Sequence, residues 1–393
     1  GTKNVARDMD LIRVALGEEQ VNYVGYSYGT TIGSVYADMF PDRIRAMVLD
    51  GGTDISLPAE EASLTQIIGF ERALTAFLAF CTEEECDFVD GGDARSKVAE
   101  VMAMAEEAPI PAPRADRDAG PGEVSLGIIS ALYSQFSWAQ LARALDDALD
   151  GDGSRLVQLT DAYLQRESDG SYPNLMEANA AVNNVDSACS KDPDSYRELG
   201  EEFAEQAPTF GRFASTLGLV CAYWDVEPDP LETPTGAGAP PIVVIATTND
   251  PATPYEWGKA LSEQLESAVL VTYRGEGHTI YAQGSNCIDD LVNTYLLTLA
   301  VPAEGTTCGN GPPPPDGSSQ PGDATPPTEG DPTSTPGSPA TGQTGETPET
   351  DGDDSDGPTQ ELGGTTGYWI AAIILLAITV AMLAAAFLST RRR

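Results

Sequence analysis

The pentapeptide Gly25-Tyr26-Ser27-Tyr28-Gly29 does more than any other stretch to limit what this chain can become. It lies between a short apolar run, residues 21–25, and a helical pattern over residues 30–40 that stops at Pro41. A G-x-S-x-G string between a strand and a helix puts a serine hydroxyl at the tip of a sharp turn, held outward as a nucleophile. Such a turn is expected to be too tight for β-carbons on either side of the serine, which accounts for both glycines. The string alone is common; its setting gives it weight.

The surrounding pattern is one of strands alternating with helices. Residues 4–16 carry apolar side chains at helical spacing and stop at Gly17. Residues 45–49 read as a second strand, ending in Asp50-Gly51-Gly52. A long helical region follows, with blocks at 64–80, 96–105, 139–149 and 195–205 and no convincing strand among them. Strand character returns at 242–246, then a helix at 257–265, a strand at 268–273 and a closing helix at 288–299. Strand–helix alternation implies an α/β fold with a parallel sheet, here interrupted by a helical insertion.

A serine nucleophile needs a base, and His278 is the single histidine of the chain. It falls in Gly275-Glu276-Gly277-His278, just after the last strand. The acid that orients such a histidine is expected on a strand end between the serine and the histidine in chain order. Asp250, in Asn249-Asp250-Pro251-Ala252-Thr253-Pro254, fits that place and would hold the imidazole tautomer. Asp50 is the rival, and is read as a structural turn acid. The expected catalytic set is Ser27, Asp250 and His278, with the backbone N–H of Tyr28 donating to the oxyanion. One histidine excludes most multi-histidine metal sites, and no CxxC pair offers zinc ligands, so neither metal nor cofactor is expected.

Charge and cysteine usage bear on partners and compartment. Against 61 acidic residues stand 21 Lys+Arg, a formal net charge of −40, which argues against nucleic acid as a partner. Residues 309–366 are Pro, Gly, Thr, Ser and acid without apolar periodicity, the composition of a disordered stalk. An uninterrupted apolar run then reaches Leu388, flanked by Tyr368-Trp369 and by Arg391-Arg392-Arg393. At about 1.5 Å per residue such a run spans roughly 30 Å, a bilayer core. The arginines put the C-terminus in the cytoplasm, so residues 367–393 are expected to be a single-pass anchor with the rest of the chain outside the cell. Six cysteines suit an oxidising exterior, and their spacing favours Cys81–Cys86 and Cys287–Cys308, leaving Cys189–Cys221.

The elbow, extended to Thr30, together with Phe40-Pro41-Asp42-Arg43, Val48-Leu49-Asp50-Gly51, Asp250-Pro251-Ala252-Thr253-Pro254 and Gly277-His278, resembles the secreted tripeptidyl aminopeptidases of actinomycetes. These belong with the prolyl aminopeptidase group of α/β-hydrolases. The region from Cys221-Ala222-Tyr223-Trp224 to Cys308 is similar to their C-terminal part, and the resemblance spans roughly residues 4–308, weakest through the insertion. It implies an α/β-hydrolase core in two pieces, residues 1–57 and 236–308, with residues 58–235 as a cap over the site. It also implies a serine exopeptidase that takes peptide substrates with a free N-terminus. Two features depart from the family pattern. Its members are usually soluble, without stalk or anchor, and they have four strands and a His-Gly-Gly-Pro-Gly-like oxyanion loop ahead of the nucleophile strand. Ser27 comes too early for those, so this chain is expected to be the C-terminal part of a longer protein and inactive alone. An esterase on the same triad, and a non-catalytic anchored surface protein, are the alternatives.

Overall fold

The computed structural model describes residues 1–89 and 92–315. Its sheet is parallel throughout and runs β1 (Val21–Tyr26), β2 (Ile44–Asp50), β3 (Ile242–Asn249), β4 (Ala268–Glu276), β5 (Thr307–Gly309), in that spatial order. β2 and β3 are inner strands and nearly every residue on them is buried, as expected for strands covered on both faces. β1 lies at an edge. The other edge, β5, has no apolar run and was not among the expected strands.

Side chains alternate across the sheet, so each strand feeds two cores. Met47, Leu49, Ile242 and Val244 point to one face, where α1 (Thr2–Leu16), α2 (Tyr28–Met39) and a later helix at Tyr255–Gln264 pack through Ala6, Tyr36 and Leu261. Ala46, Val48, Val243 and Ile245 point to the other, covered by Ile288, Val292 and Tyr295 of a helix at Asn286–Thr298.

Among the described residues eight α-helices lie between β2 and β3: α3 (Ala59–Glu83), α4 (Ala94–Glu107), α5 (Pro121–Leu132), α6 (Trp138–Leu149), α7 (Ser154–Leu164), α8 (Leu175–Asp186), α9 (Pro193–Gln206) and α10 (Gly211–Leu217). The helices after β3 and β4 are then α11 (Tyr255–Gln264) and α12 (Asn286–Thr298). The inserted helices have their own core, with Phe70, Leu74, Phe77, Ile128, Leu145 and Phe203 buried together. Among the described residues its sheet-like pairing is one isolated antiparallel bridge, Ile110 to Ala119.

Three disulfides form, Cys81–Cys86, Cys189–Cys221 and Cys287–Cys308. Among the described residues α3 is the one helix long and apolar enough to cross a membrane, and Phe70, Leu74 and Phe77 bury it in the insertion core. The expected anchor at 367–393 lies outside the described residues, as does most of the expected stalk. At the start of that stalk, Gly309 closes β5 and the Gly311 N–H donates to the Arg274 carbonyl at 3.0 Å, so sheet pairing runs past residue 308.

Candidate active site

Three parallel strands deliver the candidate residues to one end of the sheet, their C-terminal ends, where an open α/β sheet places its ligands. Ser27 follows β1 directly and is the N-cap of α2, with φ 54° and ψ −124°. A left-handed φ on a non-glycine residue is strained, and the surrounding hydrogen bonds hold it. The Ser27 N–H donates to the Asp50 carbonyl at 2.9 Å, and the Thr30 N–H returns to the Ser27 carbonyl at 2.8 Å. A β-carbon on Gly25 would come within 2.4 Å of the Gly29 carbonyl oxygen, so only glycine fits there. At Gly29 the expectation fails: the nearest atom to an added β-carbon is Tyr23 Oη at 3.6 Å, an ordinary contact. The turn is tight on one side of the serine only.

Tyr28 opens α2, so its N–H is one of the unpaired donors at the positive end of a helix. Its hydroxyl is hydrogen-bonded to Thr2 Oγ1, and Thr2 in turn donates through its backbone N–H to Asp186 of α8 at 2.9 Å. The elbow is thereby braced by the first helix and by the insertion.

Asp250 and His278 meet. The carboxylate lies 2.9 and 3.0 Å from Nδ1, and its side chain is fully buried. Because a carboxylate only accepts, Nδ1 carries the proton, which leaves Nε2 able to accept one. Asp250 Oδ1 also accepts from the N–H groups of Ala252 and Thr253, at 2.9 and 2.8 Å, and Oδ2 from the Thr253 hydroxyl at 3.0 Å. Its orientation is therefore locked. Burial pushes the His278 pKa down, but the charge and hydrogen bond of Asp250, with a further contribution from Asp50, leave it raised.

Ser27 and His278 are not joined: among the described residues no hydrogen bond links Ser27 Oγ to the imidazole. Such bonds are often long in unliganded enzymes. The strand ends carrying them are in contact, since the Tyr26 ring stacks on that of Tyr281, centroids 6.4 Å apart. At the end of β2, a β-carbon on Gly51 would lie 2.9 Å from both Thr253 Oγ1 and Thr279 Cγ2 and 3.3 Å from His278 Cε1.

Asp50 is more than a turn acid. Fully buried, it reaches across to the loop after His278, where Oδ2 accepts from the N–H groups of Ile280 and Tyr281 at 2.9 and 2.7 Å. Its other oxygen is buried without a hydrogen-bond partner among the described residues. Burial drives its pKa up to about 6, against the pull of those two N–H groups.

Sequence reasoning passed over several residues that build this site. Thr253 Oγ1 lies 3.3 Å from His278 Nδ1, so it touches both acid and base. From the insertion, the Tyr133 carbonyl accepts the His278 N–H at 2.9 Å and its ring meets the imidazole edge-on. Gln66 of α3 donates to the Ala252 carbonyl at 2.6 Å, and a β-carbon on Gly69 would lie 2.6 Å from the Pro251 carbonyl oxygen. Asp250 and His278 are thus gripped from outside the sheet. A threonine three residues after an aspartate in a turn is a readable signal; a backbone carbonyl on a distant helix is not.

Comparison with known proteins follows the same division of the chain. Residues 1–85 match the family described as "alpha/beta hydrolase fold", and residues 207–308 match "TAP-like protein". Serine protease Hip1 of Mycobacterium tuberculosis is 38% identical over 324 residues, covering 78% of this chain and 61% of the relative. A tripeptidyl aminopeptidase of Streptomyces coelicolor is 32% identical over 315 residues, 78% of this chain and 57% of the relative. Carboxylesterase B of Mycobacterium tuberculosis is 36% identical over 318 residues, 78% of this chain and 60% of the relative. The chain spans about three fifths of the length of these curated relatives.

Proposed function

Since this chain belongs to the α/β-hydrolases of the tripeptidyl aminopeptidase group, we propose that it carries the catalytic triad of a serine exopeptidase, one that releases short peptides, tripeptides among them, from free N-termini. The observation that carries the reading is the buried Asp250 clamped on His278 Nδ1, at the same end of the sheet as the strained Ser27 elbow. In the proposed mechanism His278 Nε2 takes the proton of Ser27 Oγ as the oxygen attacks the scissile carbonyl. The oxyanion that forms accepts from the Tyr28 N–H at the start of α2. Asp250 stabilises the imidazolium, which then protonates the departing amine, and water cleaves the acyl-enzyme by the same path. Residues 58–235 act as the cap over this site, in contact with it through Gln66, Gly69 and Tyr133.

Labelling of Ser27 by a fluorophosphonate, together with release of a chromogenic group from a tripeptide carrying a free but not an acetylated N-terminus, tests the reading. Equal turnover of the acetylated substrate would reject exopeptidase action. An esterase on the same triad is the second reading, favoured by the similarity to carboxylesterase B. For location we propose a cell-membrane protein with its hydrolase part outside, on the apolar run ending in Arg391-Arg392-Arg393 and on the three disulfides.

A further inference from the structure

A cavity of about 120 Å³ opens beside His278. The insertion lines it with Tyr133, Gln135 and Phe136, and the end of β4 lines it with Tyr273 and Glu276. Neither Ser27 nor Tyr28 reaches it. That placement has a chemical meaning under the peptidase reading, on which this inference rests. The acyl half of a substrate is bonded to Ser27, while the departing amine takes its proton from His278. A cavity bounded by the base and not by the nucleophile therefore faces the departing peptide.

Glu276 gives the cavity its charge. It is the register partner of Asn249 across β3 and β4, and its Oε2 accepts from the Asn249 amide. Its other oxygen has no protein partner among the described residues, and no Lys or Arg among them forms an ion pair with it. Burial raises its pKa, against the pull of the Asn249 hydrogen bond. Phe136 stands at the rim, 89% exposed on a short 3-10 turn, with no packing task in the fold. With Tyr133 and Tyr273 it offers aromatic faces to a methylene stem and to a cation.

We propose that this cavity is a subsite for the first residue of the departing peptide, and that Glu276 selects a lysine or arginine side chain there. The stem lies along the aromatic walls and the ammonium or guanidinium supplies the partner that Glu276 lacks.

The experiment uses the intact protein and the amides of Ala-Ala-Ala-Lys, Ala-Ala-Ala-norleucine and Ala-Ala-Ala-Glu. The readout is the ratio of kcat/KM values within one protein form, so that a general loss of activity cancels. Lysine is expected to exceed norleucine by about tenfold or more, the range of a hydrogen bond to a charged group, with Glu the poorest. In Glu276→Gln, which keeps the side-chain volume, the lysine advantage should fall to within about threefold. No lysine advantage in the unsubstituted protein, or an unchanged ratio in the variant, overturns the subsite. Should no peptide be cut while a fluorophosphonate still labels Ser27, the peptidase reading fails by itself. The subsite is then read by competition against that labelling, which also reports a folded site in the variant. Slower labelling with N-acetyl-lysinamide than with N-acetyl-norleucinamide, lost in Glu276→Gln, supports it; equal slowing overturns it.

Discussion

Replacing Asp50 by Asn removes a buried charge while keeping one oxygen to accept from Ile280 and Tyr281. The native carboxyl has a pKa pushed up to about 6 from 3.8, by burial first and by Asp250 opposite it, against the two backbone donors and His278. A folded-state pKa above the unfolded value means that the group favours the fold when protonated. That stability is fully present below pH 3.8 and lost as the pH rises through about 6. At about 1.4 kcal/mol for each pH step separating the unfolded from the folded pKa, the loss totals about 3 kcal/mol, of which about 2 kcal/mol falls between pH 4.5 and 7.5. Asn cannot titrate, so it escapes that loss. It also places an amide where Oδ1 now lies unpartnered, a pH-independent cost of about 1–3 kcal/mol. Urea unfolding of both forms at pH 4.5 and 7.5 separates the two effects. Asp50→Asn should gain about 2 kcal/mol on the native protein between those values, whatever the offset. The acid limb of kcat/KM should also move to lower pH, because Asp50 helps to raise His278. Parallel stability profiles would refute the strained-anion argument. A collapse of kcat by powers of ten would make Asp50, not Asp250, the acid of the triad.

Ser27→Ala should abolish fluorophosphonate labelling and lower kcat by several powers of ten with unchanged unfolding midpoints; near-native turnover would remove Ser27 from the mechanism. Asp250→Asn should cost kcat about four powers of ten by releasing the imidazole tautomer, measured under saturating substrate. Gly69→Ala pushes a methyl against the Pro251 carbonyl. It should destabilise by about 1–3 kcal/mol and lower kcat/KM as well, whereas a stability loss without a rate loss would uncouple α3 from the acid. Protease added to intact cells should release the hydrolase part by cutting within 309–366; protection until lysis would reverse the proposed orientation.

The sheet was legible where strands are apolar runs on both faces, as at Ile242–Asn249, and illegible where they are not. Thr307–Gly309 is three residues long and carries one apolar side chain, Cys308, so nothing in its pattern distinguishes it from loop. The long helices of the insertion read out through their spacing. That holds for α3, α4, α6 and α9; α5, α7, α8 and α10 fell outside the expected blocks, and α10, with seven residues, is too short for periodicity to emerge. Among site residues, Ser27, His278 and the two candidate acids announce themselves by motif and strand end. Choosing between the acids is a matter of distance, and the structure sets Asp250 against Nδ1 and Asp50 against Ile280 and Tyr281. The neighbours that grip the acid and the base were unreadable for a plainer reason. A carbonyl such as that of Tyr133 belongs to every residue alike, and only the fold selects it.

The grip of the insertion on Asp250 and His278 bears on the order in which this chain matures. Gln66 meets Ala252 across 186 positions of sequence, and the His278 N–H is met by the carbonyl of the distant Tyr133. Closing so long a loop costs little in equilibrium stability but much in time. The contacts that fix Asp250 and His278 therefore belong to the slow, non-local class, whereas those within each inserted helix are local and fast to form.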